Sequence, residues 1–488
     1  MTFLSSVAYF VFPQRGYSGC LLLKPLADRL SLPVDYLNFF LAQIAALIIA
    51  PIYRAYIPPL LSSTENVTNE ARARRIAQRH LFAITVGMIL LFFCYGLNSL
   101  HILWQTIITY LMLRIVPGQP WIIFIICLGY LSIVHLSRLR NNYLIYTIDA
   151  TGPMMISTQK LSALAFSLYD GRRKKKDDAL HLTADQQEQM IDSEPTILEL
   201  FSFIFNFHGI LVGPLSFYND YIRFVSGNDS LLDFEPSTMG NVKTPVIVKG
   251  LQSLLFLSLY LFLSPIYPIE FLVLPNKSLS HLLYKFYYLL PSLFLIRCKY
   301  YFAWKLAEAV NNAAGFGFNG FDEQTGAQRW NLLKNVSFKG VEFKNTYKEK
   351  LANWNIMTAI WLRRVCFDRV NTGRTFLVYM VSAFWHGFYP GYYLAFFSAA
   401  LLSYTSRGFY RRIRPLSRSP TVPVYTKYIY DTLTLFLSIL CANYCAVPFN
   451  LLNFERGFTF LRQTYFIVPI ICAISCIVLP VSSSKKQV

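Results

Sequence analysis

Charge is what this chain has least of. Only 15% of its 488 residues are Asp, Glu, Lys or Arg, where a soluble protein carries about a quarter. So few charges exclude an ordinary water-soluble globule, and the excess of hydrophobic residues (54%, mean hydropathy +0.39) agrees. A disulfide or zinc framework is also missing. The nine cysteines fall in no ligand pattern. Cys441/Cys445 and Cys472/Cys476 share helix faces on apolar stretches, with no His or carboxylate beside them, and read as small packing residues. The N-terminus lacks the basic, apolar, small-residue order of a cleaved signal peptide. An internal repeat of the transporter kind is not evident either.

What the chain does have is aromatic residues and long apolar runs. Phe, Tyr and Trp make up 16% of it, with 32 Tyr and 41 Phe, as expected where amphipathic rings gather at membrane interfaces. The chain therefore reads as a multi-span membrane protein. Its net charge of +19 would suit a nucleic-acid binder, but the basic residues sit in short clusters between apolar runs. These are Arg72, Arg74, Arg75 and Arg79; Arg172 to Lys176; and Arg407, Arg411, Arg412, Arg414 and Arg418. Such clusters orient spans and meet anionic lipid headgroups, so membrane lipids are expected as partners and nucleic acid is not.

A bilayer core of about 30 Å takes roughly 20 apolar residues as a helix. Candidate spans are Leu37–Ile52, Leu81–Leu97, Ile102–Ile115, Trp121–Leu136, Ile197–Phe217, Leu251–Val273, Leu282–Ile296, Thr375–Tyr404, Tyr428–Phe449 and Thr464–Val478. A further helix, Tyr301–Phe318, is too polar to face lipid. The prediction is an all-α polytopic membrane protein forming a single domain over 1–488, with about eleven transmembrane or re-entrant helices. Within it lie a variable N-terminus (1–20), a charged loop (171–195) and a C-terminal tail (481–488). The segment Gln159–Tyr169 is amphipathic and is expected in the interface. Lys485 and Lys486 stand third and fourth from the C-terminal end, like a dilysine retrieval signal of endoplasmic reticulum membrane proteins. That signal would engage the COPI retrieval machinery and requires a cytosolic C-terminus.

Polar groups at membrane depth are costly and face the protein interior or a wet cavity, so the chemistry is sought among them. Three stretches qualify. In Ser382-Ala383-Phe384-Trp385-His386-Gly387 a histidine sits inside an otherwise apolar helix. Desolvation disfavours the imidazolium, and a neutral imidazole is what a general base for an alcohol requires. A hydrogen bond to a neighbouring helix would suit the same residue. Among the seven histidines, His101 and His135 lie at apparent span ends, and His208 in another apolar run is a further rival.

The second stretch, Trp354-Asn355-Ile356 to Arg364, reads as an amphipathic or re-entrant helix with Asn355 near its start. A primary amide can donate to a carbonyl as negative charge develops there. Asn is equally at home as an ordinary helix N-cap. In the third stretch Tyr301, Trp304, Lys305, Glu308 and Asn312 recur at helical spacing and give one polar, aromatic face. That face either lines a substrate tunnel or locks two helices together by hydrogen bonds. Candidate substrate contacts are Tyr301, Trp304, Glu308 and Asn312, together with Trp354 and Trp385 beside the two candidate catalytic residues.

Taken together, these motifs resemble the membrane-bound O-acyltransferase (MBOAT) family, with its histidine motif at Trp385-His386-Gly387 and its asparagine at Trp354-Asn355. Three longer motifs look like the lysophospholipid acyltransferase branch. They are Trp354-Asn355-Ile356-x-Thr358-Ala359-x-Trp361-Leu362, Trp385-His386-Gly387-x-Tyr389-Pro390-Gly391-Tyr392-Tyr393 and Tyr300-Tyr301-Phe302-Ala303-Trp304. Within that branch they most resemble enzymes acylating lysophosphatidylethanolamine and lysophosphatidylserine. Thr151-Gly152-Pro153-Met154-Met155-Ile156-x-Thr158-Gln159-Lys160 and Gly213-Pro214 extend the likeness over most of the chain.

The resemblance implies a helical fold around a buried catalytic chamber, with acyl-CoA as cosubstrate and no tightly bound cofactor or metal. His386 would be the base and Asn355 would orient a substrate or polarise the thioester. The acceptor would be the free hydroxyl of a lysophospholipid, sn-2 as usual in this family. Other family acceptors (lysophosphatidylcholine, a sterol, diacylglycerol or a protein) and a transporter or scramblase remain alternatives. Cys366 as an acyl-carrying nucleophile is a minor variant, for no Cys–His pair marks it.

Overall fold

The computed structural model describes residues 17–60, 68–145, 147–174, 182–227, 242–274 and 281–479. Helices dominate them, and the only β element among the described residues is an isolated bridge between Phe321 and Gln328. The chain divides into two compact units, each assembled from separate segments. One comprises Met1–Ser253, Ala303–Lys334 and Arg363–Val365; the other comprises Leu254–Phe302, Asn335–Leu362 and Cys366–Val488.

Long helices of the first unit are α1 (Val34–Tyr56), α2 (Asn69–Tyr95), α3 (Leu100–Ile115), α4 (Pro120–Asn141) and α5 (Thr151–Lys174). Local chemistry sets their ends. Thr68 accepts the Ala71 N–H at 3.2 Å to start α2, and Gly96 at φ +52° ends it. Pro120 opens α4, where a missing N–H costs nothing. Buried side-chain amides then join the helices. Gln105 of α3 donates to the Cys127 carbonyl of α4 (3.0 Å) and to Thr158 of α5 (2.8 Å), while accepting from Ser157 (2.9 Å). Between apolar helices such bonds supply specificity that packing alone lacks.

Three expectations change in this unit. The run Ile197–Phe217 is not one helix. A capping box between Thr196 and Glu199 starts α6 (Ile197–Phe205), and Asn206 ends it by turning its Nδ2 back onto the Phe203 carbonyl at 2.6 Å. A non-helical stretch follows before α7 (Tyr218–Ser226). Gln159–Tyr169 is not interfacial: most of it is buried within α5, with Lys160 wholly buried and donating to the Phe203 carbonyl at 2.8 Å. Arg79 does not reach out to headgroups either. It is 1% exposed, lies over the rings of Tyr53 (4.6 Å) and Phe224 (4.9 Å), and donates to the Phe224 carbonyl at 3.2 Å.

Helix α8 (Lys243–Leu263) and the long α9 (Leu282–Ala314) run from one unit into the other. In α9 the expected span Leu282–Ile296 and the expected polar helix from Tyr301 are one continuous helix, with Pro291 inside it. The second unit adds α10 (Ile356–Val365) as far as Leu362, its last three residues counting with the first unit, and α11 (Arg374–His386), α12 (Pro390–Ser417), α13 (Val424–Leu451), α14 (Phe454–Gln463) and α15 (Ile467–Val478). Its apolar core gathers Leu289 and Leu293 of α9, Tyr444 and Val447 of α13, Phe460 of α14, and Cys445 and Cys472, which serve as packing residues.

Among the described residues, five helical segments are long and apolar enough to cross a membrane: Val34–Tyr56, Asn69–Ile115 (α2 and α3 together), Pro120–Asn141, Lys243–Ile266 and Val424–Leu451. The pair α14–α15, bent by 74°, makes a sixth if counted as one span. The chain is a multi-pass, all-helical membrane protein. Several remaining expected spans are short or interrupted, as at Asn206 and Gly387. Lys485 and Lys486, the sequons at Asn66, Asn228 and Asn276, and most of 1–20 lie outside the described residues.

Candidate active site

His386 and Asn355 both stand at helix ends in the second unit. The sequence placed His386 within one apolar helix from Thr375 to Tyr404. Instead that helix breaks immediately after it. Gly387 takes φ +118°, a conformation closed to residues with a Cβ, and Pro390 opens α12 three residues later. The imidazole is thus the last side chain of α11, half-buried and ringed by aromatics. Its centroid lies 5.1 Å from that of Phe449, 5.4 Å from Phe396 and 5.8 Å from Tyr392. Backbone contact fixes this turn, since the Gly391 N–H donates to the Leu452 carbonyl at 2.8 Å. A Cβ on Gly391 would meet the Pro448 carbonyl oxygen.

Asn355 precedes α10 with φ +47° and ψ +55°. This left-handed conformation is one Asn tolerates better than most residues. An ordinary N-cap is extended and bonds its own helix; Asn355 is neither, for its side chain makes no capping bond. The two helices carrying Asn355 and His386 are joined through tryptophans. Trp361 of α10, wholly buried, packs on Trp385 of α11 with centroids 5.9 Å apart.

Of the other candidates, Trp354 packs edge-on against Tyr300 (5.6 Å) and Tyr301 (5.9 Å). Tyr301 is wholly buried and donates its hydroxyl to Glu342 Oε1 at 2.7 Å. That carboxylate also receives a two-pronged bond from Arg297, Nε and Nη2 each at 2.8 Å. Trp304, Glu308 and Asn312 belong to the first unit. There buried Glu308 pairs with Lys305 at 2.8 Å and with Lys249 at 3.2 Å, and Asn312 is buried against Gly317.

The rival histidines are differently placed. His101 is buried with its Nδ1 at 3.1 Å from the Tyr130 hydroxyl. His208 is enclosed by the rings of Tyr53, Phe207, Tyr221, Phe224 and Phe316. Cys366 is wholly buried at the end of α10, and desolvation pushes its thiol up to about 12, which leaves little thiolate for nucleophilic attack.

Sequence reasoning passed over Glu342, Arg297 and Asn335. Arg297 did carry a signal, a guanidinium amid an apolar run. Glu342 did not, because it sits in a polar stretch where nothing marks one residue above its neighbours, and Asn335 is marked only as the head of a glycosylation sequon.

The fold is that of a helical multi-pass membrane protein, with a histidine and an asparagine at helix ends as its candidate site. The family model of the MBOAT, membrane-bound O-acyltransferase family, matches residues 140–447, and the chain belongs to that family. It is 36% identical to "Membrane-bound glycerophospholipid O-acyltransferase 2" of Rattus norvegicus, covering 96% of this chain and 89% of that protein. To "Lysophospholipid acyltransferase 6" of Drosophila melanogaster it is 34% identical over 95% of this chain and 64% of that protein. It is also 33% identical to "Lysophospholipid acyltransferase" of Schizosaccharomyces pombe, over 80% and 79% respectively.

Proposed function

We propose that this protein transfers a fatty acyl group from acyl-CoA to the free sn-2 hydroxyl of a lysophospholipid, with lysophosphatidylethanolamine or lysophosphatidylserine as acceptor. The observation that carries the reading is that His386 ends α11 and Asn355 precedes α10, on helices joined by Trp361 and Trp385. The names of the relatives support the acceptor class, and the motifs at Trp354 and Trp385 support the headgroup.

In this mechanism the neutral His386 imidazole accepts the hydroxyl proton as the oxygen attacks the thioester carbonyl. The C-terminal end of a helix carries partial negative charge and favours the cation that forms. The Asn355 amide donates a hydrogen bond to the carbonyl oxygen as charge builds there. Collapse of the tetrahedral species breaks the C–S bond and releases the CoA thiolate, which takes up the proton. Such a thiolate is a good leaving group, so no acyl-enzyme on Cys366 is needed. Trp354 and Trp385 flank the reacting groups as substrate contacts. Tyr301, its hydroxyl bonded to Glu342, packs its ring on Trp354 and holds it in place.

The reaction takes place in the endoplasmic reticulum membrane, with the C-terminal Lys485 and Lys486 cytosolic and open to the COPI retrieval machinery. The test is a panel of acceptors offered to the purified protein in nanodiscs with labelled acyl-CoA. Turnover should favour lysophosphatidylethanolamine and lysophosphatidylserine over lysophosphatidylcholine, a sterol or diacylglycerol. Preference for a sterol or diacylglycerol would move the protein to another branch. Lipid flux without acyl-CoA consumption would make it a scramblase.

A further inference from the structure

A helix that begins in buried surroundings leaves its first N–H groups without intrahelical partners, and each must be satisfied elsewhere. At α10 the residue in the capping position is Asn355. Its left-handed backbone (φ +47°, ψ +55°) keeps its own side chain from that task. The bonds come from another part of the chain. Asn335, 3% exposed, accepts the Ile356 N–H on its backbone carbonyl at 2.8 Å and the Met357 N–H on its Oδ1 at 3.1 Å. A third bond, from the Ser337 N–H to the Asn353 carbonyl at 3.0 Å, continues the pairing on the near side of Asn355. Residues 335–337 thus run alongside residues 353–357 and hold both flanks of Asn355.

We propose that Asn335 is a positioning residue for Asn355: it caps α10 in place of Asn355, and so leaves the Asn355 amide to the substrate. The inference rests on the catalytic reading of Asn355 given above. Without the Asn335 oxygen, the Met357 N–H needs another acceptor, and a helix start ordinarily takes it from the residue in the capping position, here Asn355. Rotation of the Asn355 side chain into the cap would require its backbone to leave the left-handed region, and the amide would then point into the helix. Asn335 also heads a glycosylation sequon, Asn335-Val336-Ser337. Its burial and its use as a cap make that sequon silent.

The test compares Asn335→Ala, Asn335→Asp and Asn355→Ala in the full-length protein, assayed with labelled acyl-CoA and lysophosphatidylethanolamine. Misplacement of a catalytic group by about 1 Å costs up to about a hundredfold in rate. Asn335→Ala is therefore expected to lower kcat by about tenfold to a hundredfold, with KM for both substrates little changed. Asn335→Asp keeps an oxygen at the cap, where a helix start welcomes negative charge, and should recover most of kcat. A purely structural residue would instead lower the folded fraction without this rescue. If Asn335→Ala does not fold, Asn335→Gln displaces the acceptor by one methylene and takes its place.

Wild-type kcat in Asn335→Ala, or an Asn335→Asp protein as slow as Asn335→Ala, would overturn the proposal. So would a glycan on Asn335. Failure of the underlying reading is distinct, because it shows as wild-type turnover in Asn355→Ala whatever the Asn335 variants do.

Discussion

At the residue scale, His386 and Asn355 are asked for different contributions. A positioned general base supplies typically about 10²–10⁴-fold in rate, and one donor to a developing oxyanion about 10²–10³-fold. Asn355→Ala should therefore keep its fold and lose about a hundredfold or more in kcat. A change confined to acyl-CoA affinity would move Asn355 out of the chemical step. For Cys366→Ser the expected outcome is near-normal turnover, since the thiol is buried and its pKa is pushed up to about 12. An acyl-thioester trapped on Cys366 and recovered by mass spectrometry would contradict this. Both proposed catalytic residues stand out in the sequence as residue types, through Trp385-His386-Gly387 and Trp354-Asn355. The reason Asn355 is not simply a helix cap was not legible, because it depends on a backbone angle and on Asn335 in a different segment.

Elements decide where those residues stand. Gly387 breaks the long apolar run and turns His386 into a helix terminus; its φ of +118° is the requirement. Gly387→Ala should strain the turn by about 1–3 kcal/mol and lower kcat by shifting the imidazole, read as lost activity in protein that still purifies. Glu342 anchors a second element. It ties Arg297 and Tyr301 of α9 to the short helix Phe338–Phe343. The pair is partly buried, its side chains 13% and 10% exposed, so its loss costs less than the ~3–5 kcal/mol of a fully buried pair, and Glu342→Gln is expected to lower the unfolding temperature in detergent. An unchanged melting curve would show that the pair is dispensable. The sequence offered two roles for the face that includes Tyr301, and the hydroxyl bonded to Glu342 favours the helix lock for that residue. The α9 helix itself was split in two by hydropathy, because its second half turns polar without ceasing to be helical.

On the scale of the whole molecule, membrane character and helical class were plain from composition, since they follow from sums over the chain. Span boundaries were less plain. A window average cannot see a side chain such as Asn206 turning back to end a helix, nor a cation such as Arg79 buried between rings. The proposed retrieval to the endoplasmic reticulum would be read on Lys485 and Lys486. Replacing Lys485 and Lys486 together by Ser should let the protein escape to later compartments, as seen by fluorescence microscopy and acquired glycan processing, while catalysis in isolated membranes is unchanged. Retention without both lysines would remove the retrieval assignment.

The central claim, that His386 is the base of an acyl transfer in the membrane, is tested most directly by one measurement. Purified His386→Ala, shown by its melting curve to be folded, is given labelled acyl-CoA and lysophosphatidylethanolamine in nanodiscs. The account predicts a loss of about 10²–10⁴-fold in turnover with both substrates still bound. Turnover close to that of the wild-type protein would contradict it.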